Sequence, residues 1–159
     1  MRSEAETSRA MELYGDMVRR ICLVHLKNEA DSQDVFQNVF LKYLLHSPDF
    51  ENSEHEKAWF IRVAVNACKD LRKAWFFRRT VPLEELSEQA AAETGDRPVL
   101  EAVLCLPAKY KDVIYLHYYE GYTAAEIGKI LKKNPNTVYT LLTRGRELLR
   151  KSLGGEDFA

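Results

Sequence analysis

The sequence predicts an all-α protein: two small helical domains joined by a flexible acidic tether. Three observations predict it. Apolar residues recur at three- and four-residue spacing through most of the 159 residues, with no convincing strand alternation. Glycine and proline are sparse, at seven and five. One stretch, "TVPLEELSEQAAAETGDRP" at 80–98, breaks the pattern: five acidic residues stand against Arg97 alone, and only Leu83 and Leu86 suggest packing. The expected division is a domain over 1–79, the tether over 80–98, and a helix-turn-helix domain over 99–159.

Bulk composition excludes several classes. A net charge of −1 and a pI of about 6.4 argue against coating nucleic acid by bulk charge, though not against local basic patches. Cys22, Cys68 and Cys105 form no CxxC pair and read as reduced core thiols. His25, His46, His55 and His117 have no ligand spacing, so neither a metal nor another cofactor is expected. The charges in "MRSEAETSRAMELYGD" lie too close together for a signal peptide. No window approaches ~18 consecutive apolar residues. The expected location is the cytoplasm, with no membrane insertion of its own.

In the first domain, Met11, Tyr14, Val18, Ile21, Cys22 and His25/Leu26 mark one helix. Asp31 is the expected N-cap of the next, with Asp34 in the capping-box position. Phe36, Val39, Phe40, Tyr43 and Leu44 make its buried stripe. "HSPDFENSEHE" reads as a polar loop broken by Pro48. A long helix over 57–77 follows, with Phe60, Val63, Ala64, Ala67 and Leu71 as its core face.

A second stripe on that helix is unusual. Trp59, Arg62, Asn66, Lys69 and Lys73 fall within about 80° of arc. An aromatic, an amide and three cations on an exposed ridge suit single-stranded or melted nucleic acid, since rings stack on bases and cations hold the backbone. A solvated face with a half-buried tryptophan is the plainer account of the same spacing.

The second domain reads as helix, helix, tight turn, helix. One helix starts after Pro107 and stops at Gly121. Thr123 caps "AAEIGKIL", and Glu126 completes a capping box. Asn134 caps the last helix, with Pro135 at its first position. There Val138, Leu141, Leu142, Gly145, Leu148 and Leu149 share one face that must bury. Asn136, Thr137, Thr140, Thr143 and Arg144 lie opposite. Gly128, ten residues before Val138, suits the close crossing of a helix-turn-helix. Short polar side chains on such a helix reach base edges in a major groove, while Arg144 and Arg146 meet phosphates. Arg150 and Lys151 extend the same local basic cluster.

With these residues in view, the chain resembles a bacterial sigma factor of the extracytoplasmic-function (ECF) group of the sigma-70 family. "DSQDVFQNVFLKYL" is similar to region 2.2, the helix that binds the RNA polymerase clamp. "AWFIRVAVNACKDLRK" is similar to regions 2.3 and 2.4, which open and read the −10 element. "LPAKYKDVIYLHYYEGYTAAEIG" resembles region 4.1, and "NPNTVYTLLTRGRELL" the −35-reading helix of region 4.2. The acidic tether stands where larger sigma factors have a folded region 3, and the resemblance to the ECF group implies no region 1.1. The W-F-x-R-x-A-x-N core and the "EGYTAAEIG…NTV…R-x-R" run are specific in combination.

The resemblance implies roles. Asp34, Gln37, Asn38 and Leu41 are expected to face the polymerase clamp, with Asn38 where the family usually has glutamate. Trp59, Arg62, Asn66, Lys69 and Lys73 are expected at the −10 element. Asn136, Thr137, Thr140, Thr143, Arg144 and Arg146 are expected at the −35 element. "SPDFENSEHE" falls at the −10 specificity loop. Tyr139 and Leu141 stand where relatives often carry Lys and Arg, and Lys132 replaces a common turn glycine. The implied partners are core RNA polymerase through its clamp and flap, double-stranded and melted promoter DNA, and an anti-sigma factor. Phe76, Phe77, Val81, Val99, Leu100, Val103 and Leu104 flank the tether as apolar groups for domain packing or for that last partner. The expected activity is promoter-specific initiation, not catalysis. Glu29, Asp31 and Asp34 suit capping better than acid–base work. A stand-alone helix-turn-helix regulator and a degenerate polymerase-binding protein are the rival readings.

Overall fold

The computed structural model describes residues 1–26, 29–75 and 97–153. The chain divides into two compact units, Met1–Leu86 and Ser87–Ala159, each with its own core. Residues 80–96 of the expected tether lie outside the described residues, as do Phe76, Phe77 and Val81. Arg97 and Pro98 open a helix.

Among the described residues the first unit has three helices, α1 (Glu4–His25), α2 (Glu29–His46) and α3 (Ser53–Trp75), each packed on the other two. Ser3 starts α1. Its hydroxyl accepts from the Glu6 amide while the Glu6 carboxylate accepts from the Ser3 amide, a reciprocal capping box. The inner face carries Ala10, Tyr14, Met17, Val18, Ile21 and Cys22. Met11, expected inside, is 44% exposed, because the face turns past Ala10 instead. In α2 the buried residues are Ser32, Val35, Val39, Phe40 and Tyr43, with Phe36 and Leu44 half-buried at the edges. That helix begins at Glu29, so Asp31 sits in its first turn rather than at the N-cap and there favours the helix dipole.

The third helix begins four residues earlier than its apolar period suggests. Asn52 supplies the reason: its side-chain oxygen accepts from the His55 amide and satisfies the first turn. Phe60 is the hub of the unit. Its ring centroid lies 5.0–5.1 Å from those of Tyr14, Phe40, Tyr43 and Trp59. The core face is rotated from the expected one. Ile61, Val65 and Cys68 are buried with Phe60 and Ala64, while Val63, Ala67 and Leu71 are half-buried.

The second unit holds α4 (Arg97–Leu104), α5 (Ala108–Ile114), α6 (Ala124–Leu131) and α7 (Pro135–Leu153). The last of these packs against all three others. Between α5 and α6 the helix widens into a π-helical turn, Tyr115–Tyr119, with the Glu120 amide donating to the Tyr115 carbonyl. Gly121 ends it at φ +82°, a value that favours glycine. Leu104 is 2% exposed, so it belongs to this core and is not an available docking group. Cys22 and Cys68 are buried as expected; Cys105, in the turn after α4, is exposed.

Candidate nucleic-acid interface

The helix-turn-helix is built by local chemistry. Thr123 and Glu126 form the expected capping box at the start of α6, at 3.2 and 2.9 Å. Lys132 ends that helix in the left-handed conformation, φ 57° and ψ 51°. The Lys133 amide then returns to the Gly128 carbonyl. A side chain at Gly128 would place its Cβ 2.7 Å from the Lys133 carbonyl oxygen, so the turn closes only over glycine. It is therefore the turn, more than the body of the second helix, that needs the small residue. Asn134 caps α7 by accepting from the Asn136 amide at 2.8 Å, and Pro135 occupies the first helical position.

Val138, Leu141, Leu142, Gly145 and Leu149 of α7 are buried. Gly145 lets Ile114 and Tyr110 approach, with Ile114 Cγ1 only 3.1 Å from where its Cβ would stand. Leu148, expected on this face, is 36% exposed at its edge. Opposite the stripe, Asn136, Thr137, Thr140, Thr143 and Arg144 are all exposed. Thr140 donates to the Asn136 carbonyl at 3.1 Å, a bond within the exposed face of the helix. Arg146 is half-buried and donates to the Tyr118 hydroxyl at 3.0 Å, which ties α7 to the π-helical turn. Tyr139 is 59% exposed beside Asn136 and Thr143, a large side chain on the polar face.

On α3 the expected ridge is only partly exposed. Asn66 and Lys73 are exposed, and Arg62 and Lys69 half-buried. Trp59 is buried at 5% and stacks on nothing outside the fold. Its ring meets Tyr43, Phe50 and Phe60 edge-on, at 5.9, 5.9 and 5.1 Å. The segment 47–52 folds Phe50 over the start of α3 and closes the position that helical spacing leaves open.

On α2, Asp34, Gln37, Asn38 and Leu41 are exposed along one ridge, at spacings of three and four residues. Leu45 continues it at 41% exposed, so two aliphatic side chains stand in solvent beside three polar ones.

Sequence reasoning missed a buried acid. Glu56, 5% exposed, accepts from the Tyr43 hydroxyl at 2.7 Å, the Tyr14 hydroxyl at 3.1 Å and Arg9 at 3.1 Å. One carboxylate thus joins all three helices of the first unit. Burial works to raise its pKa, but the two phenols and Arg9 outweigh burial and hold the carboxyl below its ordinary range. Burial, then Glu56, pushes the Tyr14 phenol up to about 12 and raises Tyr43 in the same direction. The partners lie 13, 42 and 47 residues away in sequence, so no local pattern signals them. Among the described residues no cluster of His, Cys, Asp and Glu is placed to hold a metal, and no helix is long and apolar enough to cross a membrane.

Comparison with known proteins agrees with this layout. The model of sigma-70 region 2 matches residues 10–77, and that of sigma-70 region 4 matches 96–149. RNA polymerase sigma factor SigV of Bacillus subtilis is 33% identical over 143 residues, covering 88% of this chain and 86% of its own. ECF RNA polymerase sigma factor SigW of the same organism is 28% identical over 161 residues, covering 90% and 86%. The fold resembles that of the sigma factor RpoE solved in complex with the anti-sigma factor NepR from Bartonella quintana, with a TM-score of 0.70, 15% identity and coverage of 94% and 97%. The chain belongs to the sigma-70 family of RNA polymerase sigma factors, in its ECF group.

Proposed function

We propose that this sigma factor binds core RNA polymerase through the α2 ridge and directs initiation by contacting promoter DNA with α3 and α7. In this reading Asp34, Gln37, Asn38 and Leu41 meet the clamp, and the second unit meets the flap. Asn136, Thr137, Thr140, Thr143 and Arg144 face the −35 major groove, with Arg146 at its edge. Arg62, Asn66, Lys69 and Lys73 follow the melted −10 strand, with Trp59 supporting that helix from within. The working division is a region 2 domain over 1–79, a tether from 80 to the start of α4 at Arg97, and a region 4 domain from α4 to 159. The protein acts in the cytoplasm and catalyses no reaction itself. An anti-sigma factor holds it inactive, as the complex of its structural relative suggests.

The observation that carries the reading is the exposed polar face of α7, set opposite a buried stripe on a helix whose start is fixed by the Asn134 cap and the Gly128 turn. Run-off transcription with core polymerase on a genomic library tests it. Discrete transcripts that share −10 and −35 sequences are expected. Polymerase binding without any promoter-dependent transcript would instead favour a degenerate sigma-like protein, and DNA binding without polymerase would favour a stand-alone regulator.

A further inference from the structure

The six residues 47–52 joining α2 to α3 lie outside both helices, apart from the Asn52 carbonyl, which accepts from the Glu56 amide in the first turn of α3. Fixing such a segment costs about 1–2 kcal/mol per residue in backbone entropy, so something else must define its shape. Asn52 anchors the far end as the cap of α3. At the near end the Ser47 hydroxyl donates to the Tyr43 carbonyl at 2.6 Å, and one side chain from outside the segment supplies the further contacts, that of Arg2. Its backbone amide donates to the Leu44 carbonyl at 2.8 Å, which places it over the end of α2. Its Nε donates to the Ser47 hydroxyl at 2.9 Å, and an amino group donates to the Pro48 carbonyl. The other amino group pairs with Glu6 at 3.1 Å. The guanidinium carbon lies 4.9 Å from the Tyr43 ring centroid and 5.0 Å from that of Phe50.

The side chain is only 18% exposed, so this is not a loose surface pair. A planar fork with acceptors on three sides and rings on its faces has one geometry, which lysine does not reproduce. Phe50, beside the fork, in turn covers Trp59 and meets His55 edge-on at 5.2 Å. Asp49, Glu51 and Asn52 are left exposed on the outer side of the segment.

From this we infer that Arg2 is a positioning residue for base selection. It locks 47–52 in the one conformation in which the exposed side chains of that segment discriminate between bases of the −10 element. The inference rests on the proposed function, because the segment has bases to read only in a sigma factor.

The test uses the full chain with core polymerase and a promoter library randomised at the −10 element, with the −35 element constant. Wild type, Arg2→Ala, Arg2→Lys and Ser47→Ala are compared, with amide hydrogen exchange of residues 49–52 followed alongside. Arg2→Ala is expected to speed exchange in that segment, leave the core amides of α1 and α3 unchanged, and reduce discrimination between −10 sequences about tenfold, the size of one well-made base contact. Arg2→Lys is expected to restore little, and Ser47→Ala to fall between wild type and Arg2→Ala. The graded Ser47→Ala effect keeps the test intact should Arg2→Ala unfold. Unchanged discrimination in Arg2→Ala and Ser47→Ala would overturn the inference. So would an equal loss on every −10 sequence with a weaker salt dependence, which marks a phosphate contact. A wild type with no −10 preference would refute the proposed function instead.

Discussion

The helices α3 and α7 are both long and amphipathic, yet their sequences disclose their surfaces unequally. On α7 the five residues opposite the apolar stripe are exposed, Arg146 is half-buried, and of the expected inner face Leu148 strays. On α3 the inner face is rotated, and the aromatic expected in solvent is in the core. The difference lies in what covers each helix. Among the described residues α7 packs against α4, α5 and α6, and helical partners respect the 3.6-residue period. A non-helical segment also covers the start of α3, and Phe50 seals Trp59 from a direction that period does not describe. Periodicity finds the face that meets other helices; it is blind to what a loop adds.

Trp59→Ala breaks this comparison most directly. A buried tryptophan lost from the Phe60 cluster is expected to destabilise the first unit by about 3–5 kcal/mol. Urea unfolding followed by circular dichroism measures it. A variant of wild-type stability that binds melted DNA more weakly would restore the exposed ridge inferred from sequence.

Glu56→Ala comes next. It leaves the Tyr43 hydroxyl without the Glu56 acceptor and the Tyr14 hydroxyl with the Ser53 carbonyl at 3.3 Å, and a buried group stranded in this way costs about 1–3 kcal/mol. About 3 kcal/mol is expected from the first unit, with slow amide exchange in α7 unchanged. Both tryptophans lie before residue 87, so their fluorescence reports this unit alone. The pH dependence has a defined sign. The folded carboxyl is held below the ordinary 4.5, so its stabilisation is complete above that value and is lost as pH falls below it. Glu56→Gln should flatten that acid limb. The Tyr14 phenol is raised, so its contribution is present below pH 10 and lost between 10 and about 12; Tyr14→Phe should remove that alkaline limb.

A pair of glycine substitutions compares the two units again. Gly128→Ala forces a Cβ onto the Lys133 carbonyl and is expected to cost about 1–3 kcal/mol. Gly15→Ala, also inside a helix, meets only the Phe36 ring at 3.7 Å. It is expected to stabilise the first unit by about 0.5–1 kcal/mol through helix propensity. Thermal melts of both variants decide it; equal signs would mean that the turn adapts.

Arg144→Ala is expected to leave stability within about 0.5 kcal/mol and to weaken promoter binding by about 1–3 kcal/mol if it reads a base. A −35 footprint and salt dependence equal to wild type would remove Arg144 from the interface.

What was legible depended on range. The capping box at Thr123, the Asn134–Pro135 start and the glycine at 128 all rest on residues a few positions apart, and all appear. The Glu56 cluster with Arg9 and the tyrosines, the Arg2 contacts with Ser47, Pro48 and Phe50, and the Phe50 cover of Trp59 join residues 9 to 48 positions apart, and "HSPDFENSEHE" reads as a polar loop. Asn52 as a cap was recoverable, since Asn before "SEHE" is an ordinary helix start. The π-helical turn was not, because it keeps the same apolar residues inward as an α-helix would until Gly121.

The smallest expected effect concerns Lys132, at the turn between α6 and α7. Lys132 adopts φ 57°, where its Cβ crowds the following carbonyl and costs about 1–2 kcal/mol relative to glycine. Glycine removes that strain but gives the unfolded chain more freedom, which returns about 0.5–1 kcal/mol. Lys132→Gly should therefore stabilise the second unit by about 0.5 kcal/mol, and by no more than about 1.5 kcal/mol, the difference of those two terms. Lys132→Asn separates them, since asparagine tolerates the left-handed region without the added freedom. The side chain at 132 is exposed, so neither change disturbs packing. If both variants are less stable than wild type in urea, Lys132 contributes through its charge, and the turn holds lysine for what it binds rather than in spite of its shape.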